Sequence, residues 1–238
     1  SIVEVEKEKE YLLKATTQYE LAHELDAEDT DILVSWGSVL KKLSRLSNEN
    51  LDKIEYNEKA CDKFKQASSL SSGDKKINLL YGLSLLSLGE TKFIFNDKLN
   101  NKNYEDLNTI YAEAEKLFSD LSKSYPENNE IKYYLGFTLK EQIKLYDKEE
   151  ERECIIILLE EALEKFNLSY ELNNMDIKSL IKYTETLIDL SKYYTKPSDK
   201  REVLDLSCTR LKKSIEKNPK NVDILILYSK SLNALAMI

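Results

Sequence analysis

The sequence predicts an all-α protein built from repeated antiparallel helix pairs, and three observations predict it. Only 5 Gly and 3 Pro occur among 238 residues. Sheet-rich folds need those residues for turns, so their scarcity points to long helices with few breaks. A large residue followed by a small one recurs, with the small member at 37, 82, 136, 184 and 229, spaced 45, 54, 48 and 45 apart. Self-similarity at such a period is the mark of a repeat array. A second motif alternates with the first: a small residue, a ring or Leu four later, and a small residue or Leu three further on. Apolar residues at 42% are enough for a continuous core.

The chain opens with a lone helix of the second kind, about 2–27, carrying Ala15, Tyr19 and Ala22. A first pair, 30–72, follows. Its first helix holds Leu33, Trp36-Gly37 and Leu40, and its second holds Ala60, Phe64 and Ala67. The second pair, 75–126, holds Tyr81-Gly82 and Leu85, then Ala114, Phe118 and Leu121. The third, 129–174, holds Leu135-Gly136 and Leu139, then Ala162, Phe166 and Ser169. The fourth, 177–219, holds Leu180, Tyr183-Thr184 and Leu187, then Ser207, Leu211 and Ser214. A lone first-type helix, 221–238, ends the chain with Leu225, Tyr228-Ser229 and Leu232. Spacings of four and seven place each triplet on one helical face, where small residues let a neighbour approach and the ring fills the space beside them. Turns such as Ser71-Ser72-Gly73-Asp74, Tyr125-Pro126-Glu127-Asn128 and Asn218-Pro219-Lys220-Asn221 stop one helix and cap the next.

These paired small and large residues, with turns such as Leu25-Asp26-Ala27 and Lys217-Asn218-Pro219, resemble the tetratricopeptide repeat family over roughly residues 10–235. The resemblance implies a right-handed superhelix of about ten helices in one domain, 1–238, with a concave protein-binding face. The repeats depart from the family in length, since about 34 residues is usual. The extra residues fall between the helices of each pair, at Ser47–Asn50, Asn96–Asn103, Asp147–Glu150 and Thr195–Ser198. Longer helices joined by polar edge loops are expected. Thr184 and Ser229 replace the Gly of the other repeats, so looser packing is expected there.

Composition narrows the function. A net charge of −8 argues against a phosphate backbone as partner. The Lys212, Lys213, Lys217 and Lys220 cluster reads as a solvated face. Cys61, Cys154 and Cys208 lack metal-ligand spacing and read as small buried hydrophobes in a reducing compartment. No apolar stretch is long enough for a membrane span and no signal peptide is present, so an intracellular location is expected, the cytoplasm first and the nucleus open. The lone His23 is expected on an exposed side, no phosphate loop exists, and carboxylates such as Glu149-Glu150-Glu151 read as solvated. No enzyme activity, cofactor or metal is therefore expected. The apolar end, Ala234–Ile238, fits a chain that continues, or one that meets a partner or another copy.

The resemblance assigns the concave surface to the first helix of each pair. The candidate binding residues are Leu79, Leu80 and Leu83, then Tyr133, Tyr134 and Phe137, then Ile181 and Lys182. Further inward positions are Val34, Ser35, Ser38, Lys41, Leu86, Glu141, Glu185, Ile188, Ile226, Leu227 and Lys230. The clamp with which relatives hold chaperone C-termini needs Lys and Asn one turn apart. Here Val34 with Ser38, Leu79 with Leu83, Tyr133 with Phe137 and Ile181 with Glu185 occupy those positions, so chaperone-tail binding is not expected. The expected function is a scaffold that holds an apolar or amphipathic peptide or helix. The alternatives are a structural subunit contacting partners through its ends and edge loops, such as part of an organelle import complex, and a regulatory domain fused to an enzyme.

Overall fold

The structure is a computed structural model that describes residues 2–98 and 104–238, with side chains from 4 to 96 and from 104 onward. Ten α-helices and no strand occur among them: α1 (Ile2–Leu25), α2 (Thr30–Leu46), α3 (Asn50–Leu70), α4 (Lys75–Lys98), α5 (Glu105–Ser124), α6 (Asn129–Ile143), α7 (Arg152–Leu172), α8 (Ile177–Tyr193), α9 (Pro197–Lys217) and α10 (Val222–Ala236). None of the described helices is long and apolar enough to cross a membrane.

Capping separates the two helix types. Every first-type helix begins after an Asp or Asn whose side chain accepts a backbone N–H: Asp29 from Asp31 and Ile32, Asp74 from Ile77, Asn128 from Ile131, Asp176 from Lys178, and Asn221 from Ile224. The second-type helices α3, α7 and α9 follow Glu49, Glu151 and Lys196, which make no such bond. Helix α9 instead starts on Pro197, whose missing N–H leaves no donor unsatisfied in a first turn. The caps also fix register. The recurrent small residue lies eight positions beyond its cap in all five cases: Gly37, Gly82, Gly136, Thr184 and Ser229.

That small residue is where the partner helix comes closest. A methyl group on Gly37 would stand 2.9 Å from ring carbons of Phe64, and one on Gly82 would stand 2.5 Å from Phe118. On Gly136 it would lie 3.1 Å from both the Ala162 carbonyl oxygen and the Phe166 ring. Phe64, Phe118 and Phe166 are fully buried, and each such ring contributes about 1.5–3 kcal/mol of burial. In the fourth pair both positions change, to Thr184 and Leu211, and both are fully buried. Thr184 donates its hydroxyl to the Leu180 and Ile181 carbonyls. Both stay buried although neither the Gly nor the ring of the other pairs is present. Gly89 is another close approach, where an added methyl group would stand 2.5 Å from the Tyr111 ring.

Contacts divide the chain into two compact units, Ser1–Leu121 and Ser122–Ile238. In the first, α1 packs on α2, α2 on α3 and α3 on α4, with the α5 rings set against Gly82 and Gly89. A polar cluster crosses the α3–α4 contact, where Asn57 donates to Thr91 and lies 3.5 Å from the Ser87 hydroxyl. In the second unit α6 packs on α7, α7 on α8, α8 on α9, and α10 on both α9 and α8. Ser169 hydrogen-bonds Ser179, and Ser207 hydrogen-bonds Ser231, each a buried hydroxyl pair between neighbouring helices.

Several expectations are corrected. In α10 the buried residues are Ile224, Leu227 and Ser231, whereas Leu225 and Leu232 are 39% and 45% exposed. In α8 the same motif positions are buried, so the motif alone does not decide burial. Cys154 is exposed near the start of α7 and Cys208 is half-buried, so only Cys61 is a buried hydrophobe. His23 is half-buried, edge-on to Trp36 at 5.9 Å. The loop expected at Asn96–Asn103 starts inside α4, and residues 99–103 lie outside the described residues. Elsewhere the added length lies mainly in the helices, with short links such as Ser47–Glu49.

Candidate protein-binding face

All eight candidate residues are half-buried, but they divide between the units. Leu79, Leu80 and Leu83 lie on α4 in the first unit. Tyr133, Tyr134 and Phe137 lie on α6, and Ile181 and Lys182 on α8, in the second. Three further inward positions are core: Leu86 is 4% exposed, Leu227 5% and Glu141 5%. Glu141 accepts from Lys144 at 2.5 Å, an ion pair across one turn that lets its carboxylate lie buried.

The residues on α6 form an ordered aromatic group. Tyr133 stacks on Phe137 one turn along, with centroids 6.3 Å apart, and meets Tyr134 edge-on at 5.3 Å. It also meets Phe166 edge-on at 5.7 Å. Tyr133 and Phe137 pack against the core of Leu139, Ala162, Phe166, Tyr183 and Leu187. Contacts at these distances and angles hold rings in place. Burial pushes the Tyr133 hydroxyl above its ordinary pKa, helped by Asp176 and Glu185. Burial does the same for Tyr134, with Glu130 and Tyr133 adding to it. Both phenols are neutral near pH 7 and can donate a hydrogen bond.

Helices α6 and α8 are tied directly, since Lys140 donates to Asp189 at 2.8 Å and Lys192 donates to the same carboxylate at 2.7 Å. Burial works to raise the Asp189 pKa, and the two ammonium groups outweigh it, leaving it below the ordinary value. Lys182 pairs with Glu185 at 2.9 Å, so it is not a free cation. Ile181 packs with Ile177 and Ile188 against the core of Leu211, Ile224 and Leu227. The candidates are thus aromatic on α6 and aliphatic on α8, where the Lys182–Glu185 pair also lies.

In the first unit Glu113 on α5 ties that helix to α4 and α3. It accepts from Tyr81 at 2.6 Å and from Lys65 at 2.9 Å. Two features were not read from the sequence. One is the cation set over the large residue of the first motif: Lys63 stands 4.3 Å from Trp36, and the Arg210 guanidinium 5.0 Å from Tyr183. Its signal is a basic residue just before the ring or Leu of the second motif. The other is Gly89 with Tyr111, whose signal is a repeat of the Gly82 and Phe118 pairing seven residues away on each helix, in opposite directions. Among the described residues no His, Cys, Asp and Glu group could hold a metal ion.

No family model matches the sequence, and no curated protein is similar to it. Solved structures do match. Human IFIT1 in a dimer with PPP-AAAA is 15% identical with a TM-score of 0.37, covering 93% of this chain and 55% of its own. The chain thus spans about half the length of that protein. A thermophilic TPR protein of Thermus thermophilus is 16% identical with a TM-score of 0.38, covering 82% of this chain and 98% of its own. The TPR2AB domain of yeast Sti1, in complex with pHSP90, is 14% identical with a TM-score of 0.35, covering 97% and 99%. By its own geometry, with alternating capped and uncapped helices and a small residue under a ring in successive pairs, the chain is a tetratricopeptide-like helical repeat.

Proposed function

We propose that the chain is a non-catalytic scaffold that binds an apolar or amphipathic helix or peptide on the exposed side of its first-type helices. The observation that carries this reading is the Tyr133–Phe137 stack. Two large rings are held in fixed positions by the core beneath them, yet remain half-exposed. Rigid aromatic anchors lose little entropy on binding, and such residues dominate interface energies. Ile181 and the Lys182–Glu185 pair supply an aliphatic neighbour and a polar rim. The apolar character of the face and the net charge of −8 disfavour nucleic acid and charged chaperone tails.

The test is a titration of labelled amphipathic helices, with scrambled versions as controls. Tyr133→Ala with Phe137→Ala should weaken binding by at least about tenfold, or 1.4 kcal/mol. Equal affinity in a variant that keeps its helical spectrum would end this reading.

A further inference from the structure

Counted from the small residue of the first motif, Lys41 and Arg45 on α2 hold the same positions as Lys140 and Lys144 on α6, four and eight beyond Gly37 and Gly136. In the second unit carboxylates close both cations. Lys140 donates to Asp189 on the next first-type helix at 2.8 Å, and Lys144 pairs with Glu141 at 2.5 Å. In the first unit neither carboxylate is present. The position of Asp189, five beyond Thr184, falls on Ser87, five beyond Gly82, and the position of Glu141 falls on Lys42. The Ser87 hydroxyl lies 3.5 Å from Asn57, and Lys42 pairs with Glu8 on α1 at 2.5 Å.

Lys41 and Arg45 thus keep the cations of this register without its anions. Among the described residues neither enters an ion pair or a side-chain hydrogen bond. They lie one turn apart, close enough for one carboxylate to meet both. Lys41 is half-buried and Arg45 is exposed. Two other half-buried lysines of this unit are matched, Lys63 by Asp62 at 3.0 Å, and Lys92 by Glu58 at 2.7 Å and Asp106 at 2.6 Å. Burial opposes the charge on Lys92, and its two carboxylates outweigh that opposition. On Lys41 burial lowers the ammonium pKa and Arg45 lowers it further. Two unmatched cations side by side in a partly dry place work against the fold.

We infer that the Lys41–Arg45 pair takes an Asp or Glu side chain of a bound protein segment, standing where Asp189 stands in the second unit. This rests on the reading that first-type helices bind such a segment, and it adds the charge of one anchor. The pair lies seven residues beyond Val34 and Ser38, the positions of the chaperone clamp, so it is a separate site. A single carboxylate fits better than a polyanion, because a net charge of −8 repels an extended one.

The probes are labelled amphipathic helices carrying one Glu beside the apolar face, with matched helices carrying Gln there. The wild-type chain should bind the Glu helix at least about tenfold more tightly, the usual weight of a charge-assisted hydrogen bond. Lys41→Gln should erase that preference and raise the urea midpoint, because it removes a cation that nothing in the fold matches. Ser87→Asp should erase it with both cations in place, by supplying from within the carboxylate that Asp189 supplies to Lys140. A preference that survives Lys41→Gln overturns the inference. Equal binding of Glu and Gln helices by the wild-type chain also overturns it and leaves the scaffold reading standing. Failure of every helix to bind overturns both.

Discussion

At Gly82 the spacing between helices is decided by a single missing methyl group. Phe118 is fully buried, and an added Cβ would stand 2.5 Å from its ring, so the ring has no free direction in which to move. Gly82→Ala should destabilise the protein by about 1–3 kcal/mol, read from urea denaturation. Gly73→Ala is the control. Nothing lies within 4 Å of its added methyl group, and it should gain about 0.4–1 kcal/mol from a stiffer unfolded chain. Glu113 predicts a pH dependence. Burial pushes its carboxyl up, the Tyr81 hydroxyl and the Lys65 ammonium push it down, and the net pKa falls below the ordinary 4.5. A lowered carboxylate adds stability that is present above 4.5 and lost as the pH falls through the folded value. Glu113→Gln should therefore flatten the acid limb of the melting temperature against pH. The effect should be small, because the side chain is 37% exposed and water screens it.

At the level of the helix, the division into capped and uncapped elements sets where each turn begins. Asn128 accepts the Ile131 N–H, so Asn128→Ala should cost about 1 kcal/mol, seen as a lower denaturation midpoint with unchanged slope. The aromatic group on α6 depends on this start, because Tyr133 and Phe137 are counted from it. The helix pattern was legible in the sequence because period, cap and small residue all agree. The exposed faces were less legible. Glu141 looked like a groove residue by its position in the repeat, yet its ion pair with Lys144 and the packing around it leave it 5% exposed. Leu225 and Leu232 looked like core by the same pattern, and are exposed because burial depends on a neighbour that the pattern cannot supply.

For the molecule as a whole, each helix touches its near neighbours, and contacts separate into two units. Stability in such repeats is a sum of local terms. Trp36 is the only Trp and lies in the first unit. Gly136→Ala, in the second unit, should lower the midpoint seen by circular dichroism and leave the Trp36 fluorescence midpoint in place. A shift of both by the same amount would show that the units unfold as one.

The sequence by itself determined the helices, their alternation and the small residue beneath each ring, since those follow from local capping chemistry and a periodic apolar face. It also pointed to Tyr133 and Phe137, because residues left over from a core stripe must lie on its flank. Only the tertiary structure decided which of those residues are held and which are free. Tyr133 is ordered by Phe166, a residue 33 positions away, and Ser229 on α10 is exposed where the matching Thr184 on α8 is buried. Burial is a property of pairs of surfaces, and a single helix carries only one surface of each pair.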